Sequence, residues 1–372
     1  MAKWNSNCRF FNEKYACDTL ASEGYESCEE CKFAAPYSKK ILILKFGAMG
    51  DVLRTTPILT ALRKKHGEDI LVYWMTAQDS VELLENNPLI DKIFPYNLEN
   101  VMRIQQEKFD ILYSLEIDTP STLLANVVNA TEKLGFYFDD GTTSCFNKGA
   151  ESYLQTAFLQ HVKLKNRRTY QDLIFEACEL SYNKEKPIFN FSKKDLEFGK
   201  KFAEENNLLR SDKIIGVHIG SSGRWESKFW DNEKIKELIR KISGRNKIII
   251  FGGPNEIEKQ KEFFEAMKNE GISLIKNNPN NSEGEFAAVI NLCDTIICGD
   301  SLSMHMASAL NKKTIALFFS TPCWEVEDYD LIKKLTSPLL EKYFFIGDYV
   351  PELADSISVD EVINLLESNE NK

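Results

Sequence analysis

Asp51 lies at a position where a carboxylate can take part in catalysis. The apolar run ILILKF (41–46) precedes it, the turn G-A-M-G leads into it, and apolar residues at helical spacing follow it. This pattern predicts a buried strand, a turn and a helix. Because ligands of parallel α/β sheets bind beyond the carboxyl ends of the strands, we expect Asp51 to face a cleft as a general base. The alternative is an N-cap, in which the carboxylate only accepts hydrogen bonds from the first helical amides.

The same turn argues against two common nucleotide sites. It lacks the third glycine of the dinucleotide-binding motif, and it lacks the G-K-[ST] ending of a P-loop. Binding of NAD, or of ATP in the P-loop manner, is therefore disfavoured.

Three strand ends in the second half of the chain are typical of phosphate or nucleotide binding. VHIGSSGRWESKFW places Ser221, Ser222 and Lys228 where they would meet a diphosphate. FGGPNEIE places Glu256 at a helix start, where it would accept hydrogen bonds from ribose hydroxyls. CGDSLSMHMASAL predicts a strand, a turn and a helix whose first amides form an anion site. Its candidate residues are Asp300, Ser301, Leu302, Ser303 and His305. Each segment alone also fits an ordinary turn, a surface lysine or a packed histidine.

Four cysteines lie close together near the start of the sequence, with the spacing C-x8-C-x10-C-x2-C: Cys8, Cys17, Cys28 and Cys31. Four thiolates are a tetrahedral ligand set for zinc, and iron accepts the same set, so we expect one structural Zn or Fe ion. Disulfides and unliganded thiols are the alternatives. If all four cysteines are ligands, no coordination position is open for catalysis, and the finger serves structure or assembly. Acidic residues outnumber basic ones in 1–36, which disfavours nucleic acid.

Four cations stand within six residues: Lys163, Lys165, Arg167 and Arg168. The chain as a whole is acidic, with a formal net charge of -10. One interpretation of the cluster is a solvated connector. The other is a cationic rim that attracts an anionic ligand.

Runs of Ile, Leu and Val alternate with amphipathic stretches, which is typical of buried parallel strands joined by helices. The alternation extends from 41 to 115 and restarts from 213 to 320. It predicts an α/β fold with two doubly wound Rossmann-like domains. We predict a metal finger (1–37), a first Rossmann-like domain (38–190), a second Rossmann-like domain (191–350) and a C-terminal helix (351–372) that packs back on the fold, with a crossing to the first domain as one arrangement. The first domain ends in a turn-rich stretch from 137 and a basic connector at 163–168.

The composition excludes several classes of protein. Hydrophobic residues make up 43% and charged residues 27%, which is the balance of a globular protein. The sequence has no basic run for nucleic acid, no apolar stretch of about 18 residues for a membrane span, and no secretory signal. We therefore expect a cytoplasmic protein.

Four blocks in order carry a resemblance to the ADP-heptose:lipopolysaccharide heptosyltransferases of glycosyltransferase family 9. They are KFGAMGDVLRTTP, HIGSS followed by KFW, FGGPNE, and GDSLSMHMASAL, and the resemblance extends from about Lys40 to the end. The chain departs from the family pattern at Leu302, where the family has a glycine.

The resemblance implies a GT-B fold, in which the two domains face a cleft, and an inverting glycosyltransferase without a catalytic metal. It implies that 38–190 is the acceptor-side domain and that 191–350 is the nucleotide-sugar-binding domain. It also implies that a cationic rim at 163–168 would attract an anionic glycan acceptor. By resemblance Asp51 is the base, Lys228 holds donor phosphate, Glu256 holds ribose, and Asp300 through His305 hold the diphosphate. The implied donor is a nucleotide diphosphate sugar, ADP-heptose by default. The implied acceptor is a glycan or lipopolysaccharide-type glycolipid, met at the inner face of the membrane by peripheral contact.

Two other functions fit the same residues. One is a non-catalytic protein that binds a nucleotide sugar or a partner on this scaffold. The other is a nucleotide-sugar epimerase or hydrolase that uses the same diphosphate site.

Overall fold

The computed structural model describes residues 4–11, 17–220 and 225–370. Within these ranges the chain folds into two α/β domains, each built on a six-stranded sheet. The predicted α/β fold with two Rossmann-like domains is confirmed.

The first sheet has the strand order β3-β2-β1-β4-β5-β6. Its central strand β1 pairs in parallel with β2 and β4. Residues 41–44 of β1 are fully buried, as expected for a parallel strand covered by helices on both faces. The strands are β1 (Lys40–Leu44), β2 (Leu71–Thr76), β3 (Lys92–Pro95), β4 (Lys108–Ser114), β5 (Asn129–Asp139) and β6 (Thr142–Cys145).

The stretch predicted to be rich in turns from 137 is more regular than expected. Strands β5 and β6 pair antiparallel and form a hairpin. Asp140 and Gly141 connect them with positive φ angles of 40° and 88°. An Asp-Gly pair favours this kind of two-residue connection, so the turn signal was correct but the strands on either side were missed.

Helices of the first half of the chain cover this sheet and extend from it. They are α1 (Asp18–Ser22), α2 (Met49–Thr55), α3 (Ile58–His66), α4 (Leu98–Gln106), α5 (Thr119–Val127), α6 (Glu151–Phe158), α7 (Gln160–Lys165) and α8 (Tyr170–Ala177). Helix α7 contains Lys163 and Lys165, so half of the expected connector at 163–168 is helical. Helix α8 begins with a capping box in which Thr169 and Asp172 exchange hydrogen bonds.

The second sheet has the strand order β12-β11-β10-β7-β8-β9, with every neighbouring pair parallel. The strands are β7 (Ile214–His218), β8 (Lys247–Phe251), β9 (Ile275–Lys276), β10 (Thr295–Gly299), β11 (Lys313–Phe318) and β12 (Ile332–Thr336). The helices are α9 (Lys193–Glu205), α10 (Asn232–Ile242), α11 (Ile257–Asn269), α12 (Glu283–Leu292), α13 (Leu302–Ala309), α14 (Pro351–Ala354) and α15 (Val359–Glu370).

The C-terminal helix α15 packs on the second domain. Val362 and Leu366 are buried in one apolar cluster with Ile215 of β7 and Leu238 of α10. The crossing to the first domain that the sequence left open does not occur, because the apolar stripe of α15 is covered by its own domain.

The two domains touch through α2 of the first and α13 of the second. The contact is tight at Gly50, where an added Cβ atom would lie 2.7 Å from Cδ2 of His305. A second contact joins Glu82 to the start of α12. Its two carboxylate oxygens accept hydrogen bonds from the backbone N–H groups of Glu283 and Gly284, each at 3.1 Å.

Arg9 attaches the N-terminal segment, which comprises residues 4–11 and 17–37, to the first domain. Its guanidinium donates to the carbonyl oxygen of Ile70 at 2.8 Å and forms an ion pair with Asp91 at 3.1 Å. Both partners directly precede strands, so the segment lies at the amino edge of the first sheet. That edge is opposite to the carboxyl ends where ligands of parallel sheets bind.

Across residues 4–11, 17–220 and 225–370, no helix is both long enough and apolar enough to cross a membrane.

Candidate active site

A cleft of about 1180 Å³ lies between the carboxyl ends of the two sheets. Typical small-molecule sites measure about 300 to 1,000 Å³, so the cleft has room for a nucleotide sugar and part of an acceptor. Both domains supply charged groups to it. The first domain supplies Asp51, Arg54 and Lys163, and the second supplies Lys228 and Glu256.

Asp51 lies in the first turn of α2, directly beyond β1. It is not the N-cap: that position is Ala48, which makes no side-chain capping bond. The Asp51 carboxylate instead pairs with Arg54, one turn along the helix, at 2.7 Å. Arg54 lies in turn over the ring of Tyr170, 3.8 Å from its centroid. The tyrosine therefore holds the arginine against the carboxylate.

The pKa of Asp51 lies below its usual range. Burial acts to raise it, but Arg54, Lys45 and His305 together outweigh that effect. Lys45 is almost inaccessible and pairs with Glu116 at 2.8 Å. Glu116 also accepts from the backbone N–H groups of Phe46 and Gly47 at 3.3 Å, which fixes the turn that leads to Asp51. Asp51 is thus an ionised carboxylate on a rigid support at neutral pH.

Lys228 and Asp300 form an ion pair on the opposite side of the cleft. The ammonium lies 2.7 Å from Oδ2 of Asp300, and the hydroxyl of Thr321 donates to the same oxygen at 2.9 Å. Burial acts to raise the pKa of Asp300, but Lys228 and His305 lower it to about 2. Asp300 is therefore a permanent anion that holds the lysine at the end of β10.

Helix α13 begins directly after this pair. Its N-cap Ser301 makes no side-chain capping bond, so the positive end of the helix is left for an anion. His305 is buried one turn further on, and burial together with Arg54 lowers its pKa to about 4. The imidazole is neutral at pH 7, so His305 offers a ligand in the cleft an N–H donor rather than a positive charge.

Glu256 lies at the end of β8, in the 3₁₀ turn Pro254–Glu256. Its carboxylate accepts from the backbone N–H of Gly253 at 2.7 Å. Burial raises its pKa. The loop after β9 continues this side of the cleft with a run of asparagines from Asn277 to Asn281.

Most of the residues predicted for the donor site come together in the cleft. Those that line it are Lys228, Glu256, Asp300, Ser301, Leu302, Ser303 and His305, opposite Asp51. Ser221 and Ser222 lie outside the described residues. The roles predicted for these side chains stay predictions.

The basic cluster of residues 163–168 is divided among different environments. Lys163 lines the cleft, with its ammonium 3.9 Å from the ring centroid of Phe345. Lys165 is exposed. Arg167 lies over the ring of Trp324 at 4.1 Å, and Arg168 pairs with Glu176 on its own domain. Only Lys163 of the four therefore faces the cleft.

Five charged residues of the described cleft were not predicted: Arg54, Glu116, Asp118, Glu283 and Glu325. Arg54 stands three residues after Asp51, so helical spacing offered a signal for it. Glu116 lies two residues beyond the end of β4, and the strand-end argument that found Asp51 applies to it as well. Glu325 lies in the 3₁₀ turn Cys323–Glu325, and only the folded path of the chain beyond β11 brings it to the cleft.

The four N-terminal cysteines line one small cavity of about 20 Å³, together with Phe10 and Phe33. All four are free thiols. Over the described part of the chain, no group of three or more His, Cys, Asp or Glu side chains is arranged so that it could hold a metal ion. The four thiols of the predicted metal site therefore line one cavity, but they are not arranged as a set of metal ligands.

Two Rossmann-like domains that face each other across a charged cleft are the GT-B arrangement of glycosyltransferases. The sequence profile of glycosyltransferase family 9 (heptosyltransferase) matches residues 100–334, which is more than half of the chain. The chain belongs to glycosyltransferase family 9, and it is a glycosyltransferase.

Individual relatives agree with this assignment. The chain is 26% identical to lipopolysaccharide heptosyltransferase 1 of Campylobacter coli over 304 residues, which cover 77% of this chain and 85% of the relative. A family 9 glycosyltransferase structure from Veillonella parvula superposes with a TM-score of 0.71 at 20% identity, over 89% of this chain and 97% of that one. The Escherichia coli heptosyltransferase WaaC with ADP superposes with a TM-score of 0.58 at 15% identity, over 89% and 98%. The two structures support the fold.

Proposed function

We propose that this enzyme transfers a heptose-class sugar from a nucleotide diphosphate donor, by default ADP-heptose, to a glycan or glycolipid acceptor of lipopolysaccharide type. The observation that carries the proposal is the convergence of Asp51 from one domain with the Lys228–Asp300 pair and the start of α13 from the other. The names of similar proteins support the substrate class, since one is a lipopolysaccharide heptosyltransferase and another was solved with ADP. The acceptor would be met at the cytoplasmic face of the inner membrane.

The proposed reaction is a single displacement. Asp51 takes the proton of an acceptor hydroxyl, and the hydroxyl oxygen forms a bond to C1 of the donor sugar. The bond from C1 to the phosphate oxygen breaks, and its electron pair leaves with the nucleoside diphosphate. Because the nucleophile attacks from the face opposite the leaving group, the anomeric configuration inverts. The lowered pKa of Asp51 supports this role because the carboxylate is unprotonated at neutral pH and can accept the proton.

The second domain would stabilise the departing diphosphate without a catalytic metal. Lys228 would exchange its contact with Asp300 for a phosphate oxygen, and the first amides of α13 would bind the other phosphate. His305 would add a neutral N–H donor, and Glu256 would accept hydrogen bonds from the ribose hydroxyls.

A product assay separates transfer from the alternative functions. The purified protein is incubated with a panel of nucleotide diphosphate sugars, with and without acceptor glycolipid, and released nucleoside diphosphate is quantified. We expect that nucleoside diphosphate is released only when acceptor is present, and that NMR of the product shows an inverted anomeric configuration. Release without acceptor supports a hydrolase, an altered sugar on the intact donor supports an epimerase, and binding without either supports a non-catalytic protein.

Asp51→Asn tests the base directly. Loss of a general base typically costs 10²- to 10⁴-fold in rate, so we expect kcat to fall by about that factor while donor affinity stays within about twofold. The matched control is Asp69→Asn, because Asp69 is exposed at the amino edge of the first sheet. Activity of Asp51→Asn within a few-fold of the wild type refutes the proposed base.

We also propose that Cys8, Cys17, Cys28 and Cys31 bind one structural Zn or Fe ion. The shared cavity supports this, since its 20 Å³ is close to the space that one water-sized sphere requires. Binding would have to draw the thiols into tetrahedral contact and would add folding free energy to the segment. Because Arg9 anchors the segment at the edge opposite the cleft, the ion would take no part in transfer.

Elemental analysis of the purified protein tests the metal proposal. We expect about one Zn or Fe per chain, and a loss of that metal in Cys28→Ser with transfer preserved. Cys145→Ser, in the β6 strand, is the control and should keep the metal. Wild-type protein without metal, after purification free of chelators, contradicts the proposal.

A further inference from the structure

Three buried polar atoms that line the cleft have no hydrogen-bond partner in the described residues. They are Nε of Arg54, Oγ of Ser303 and Oε1 of Glu325. Buried polar atoms in folded proteins are nearly always paired, because an unpaired one loses its hydration without compensation. Eleven other side-chain atoms of the described residues are also buried without a partner, in residues outside the cleft lining, so a missing partner alone does not mark a site. These three atoms differ because their residues line the cleft, where a ligand can supply the partners.

Of these three residues, Glu325 is the one whose lack of a partner is least expected, because its side chain is a carboxylate. Its carboxylate forms no ion pair and no side-chain hydrogen bond with any described residue, although Arg54 and Lys163 attract it from the first domain and Asp300 and Asp51 repel it. Burial raises its pKa. The two carboxylates that repel Glu325 are already paired, Asp51 with Arg54 and Asp300 with Lys228.

The position of Glu325 is fixed relative to the donor site. The segment beyond β11 carries both Thr321, which donates to Asp300, and Glu325, four residues later. A carboxylate at this point repels phosphate, so its partner is a hydrogen-bond donor without negative charge. In an enzyme that handles sugars, the abundant groups of this kind are hydroxyls.

We propose that Glu325 accepts a hydrogen bond from a sugar hydroxyl, and that with Arg54 and Ser303 it forms a sugar-binding subsite beside Asp51. This inference rests on the proposed glycosyl transfer. The hydroxyl comes from the transferred sugar or from the acceptor sugar, since both meet at Asp51.

Binding and kinetics of Glu325→Ala and Glu325→Gln test the subsite and identify the source of the hydroxyl. Calorimetry with ADP and with ADP-heptose isolates the contribution of the transferred sugar, and steady-state kinetics gives the acceptor KM. ADP has no sugar at this position, so its affinity should stay within about twofold in all variants. Glu341→Gln changes an exposed carboxylate and is the control.

We expect Glu325→Ala to weaken either ADP-heptose binding or acceptor KM by about 10- to 100-fold, the range for a lost hydrogen bond to a charged group. Glu325→Gln retains an acceptor oxygen and should lose less. Weaker ADP-heptose binding assigns the hydroxyl to the transferred sugar, and a raised acceptor KM assigns it to the acceptor. Wild-type affinities for both substrates in folded Glu325→Ala and Glu325→Gln overturn the inference. Wild-type transfer is measured first, so failure of the proposed function is recognised separately.

Discussion

Glu283→Gln should make the protein more stable, and the gain should grow with pH. Glu283 is at the start of α12 and lines the cleft close to Glu82, whose carboxylate binds the same helix end. Burial, then Glu82 and Asp79, raise its pKa from 4.5 to about 7. The native state therefore holds a proton that the unfolded chain releases near pH 4.5.

The sign follows from proton linkage. Between about pH 4.5 and 7 the native state binds more protons than the unfolded state, so stability falls as pH rises through this window. Below it the carboxyl is neutral in both states and has no such effect. Each pKa unit corresponds to about 1.4 kcal/mol, so the full effect above pH 7 is at most about 3.5 kcal/mol. Glutamine cannot ionise, and the substitution removes this cost.

Thermal unfolding at pH 5, 6, 7 and 8 measures the effect. One kcal/mol shifts Tm by about 2 to 4 °C in a domain of 150–250 residues, so we expect Glu283→Gln to unfold at least about 5 °C above the wild type at pH 8. The difference should be much smaller at pH 5. Glu262→Gln, on the exposed side of α11, is the matched control. A Tm difference that does not change with pH refutes the reasoning.

Three further predictions concern the cleft. Lys228→Ala should raise the Kd for ADP, measured by calorimetry, by about tenfold or more, because it removes a charge-assisted hydrogen bond. The control Lys247→Ala, at the amino end of β8, should leave this Kd unchanged. Gly50→Ala should lower Tm and transfer activity together, because the added methyl group meets His305 and overpacking costs about 1 to 3 kcal/mol. A variant with the Tm of the wild type would contradict the tight domain contact. Lys163→Met should raise the acceptor KM several-fold at low ionic strength and leave donor KM unchanged, and an equal effect on both would assign Lys163 to domain packing.

The positions of Asp51 and Asp300 in the fold followed from the sequence because each stands shortly after the carboxyl end of an apolar run. In a parallel sheet those ends share one edge, so the position along the chain predicts the position in space. Lys228 lies ten residues beyond β7, and the segment that follows this strand brings it back to the same edge. The strand-end rule also finds Glu116, which lies two residues beyond β4. The strand pattern of Ile, Leu and Val therefore predicts much of the cleft.

Other features depend on contacts that sequence spacing does not encode. Glu325 reaches the cleft only because the chain turns back beyond β11, and Lys163 faces it because α7 presents one of its cations to Phe345. The apolar spacing of α15 predicts that the helix packs on the fold but not which domain it covers, and its contacts with α10, β11 and β12 place it on the second domain. Helical spacing predicts that Asp51 and Arg54 can form an ion pair. The contact between Arg54 and the ring of Tyr170, in contrast, joins residues that are 116 positions apart in the sequence.

The ion pair between Lys228 and Asp300 has a consequence for selectivity. Asp300 is an intramolecular competitor for the ammonium, present at the high effective concentration of a tethered group. An incoming anion must exchange with this carboxylate rather than simply fill a positive site. Chloride and other single-point anions gain little from such an exchange, whereas a diphosphate bound in the proposed way would reach the amides of α13 at the same time. We infer that the pair filters ligands by valency, so that the abundant small anions of a cell do not occupy this part of the cleft.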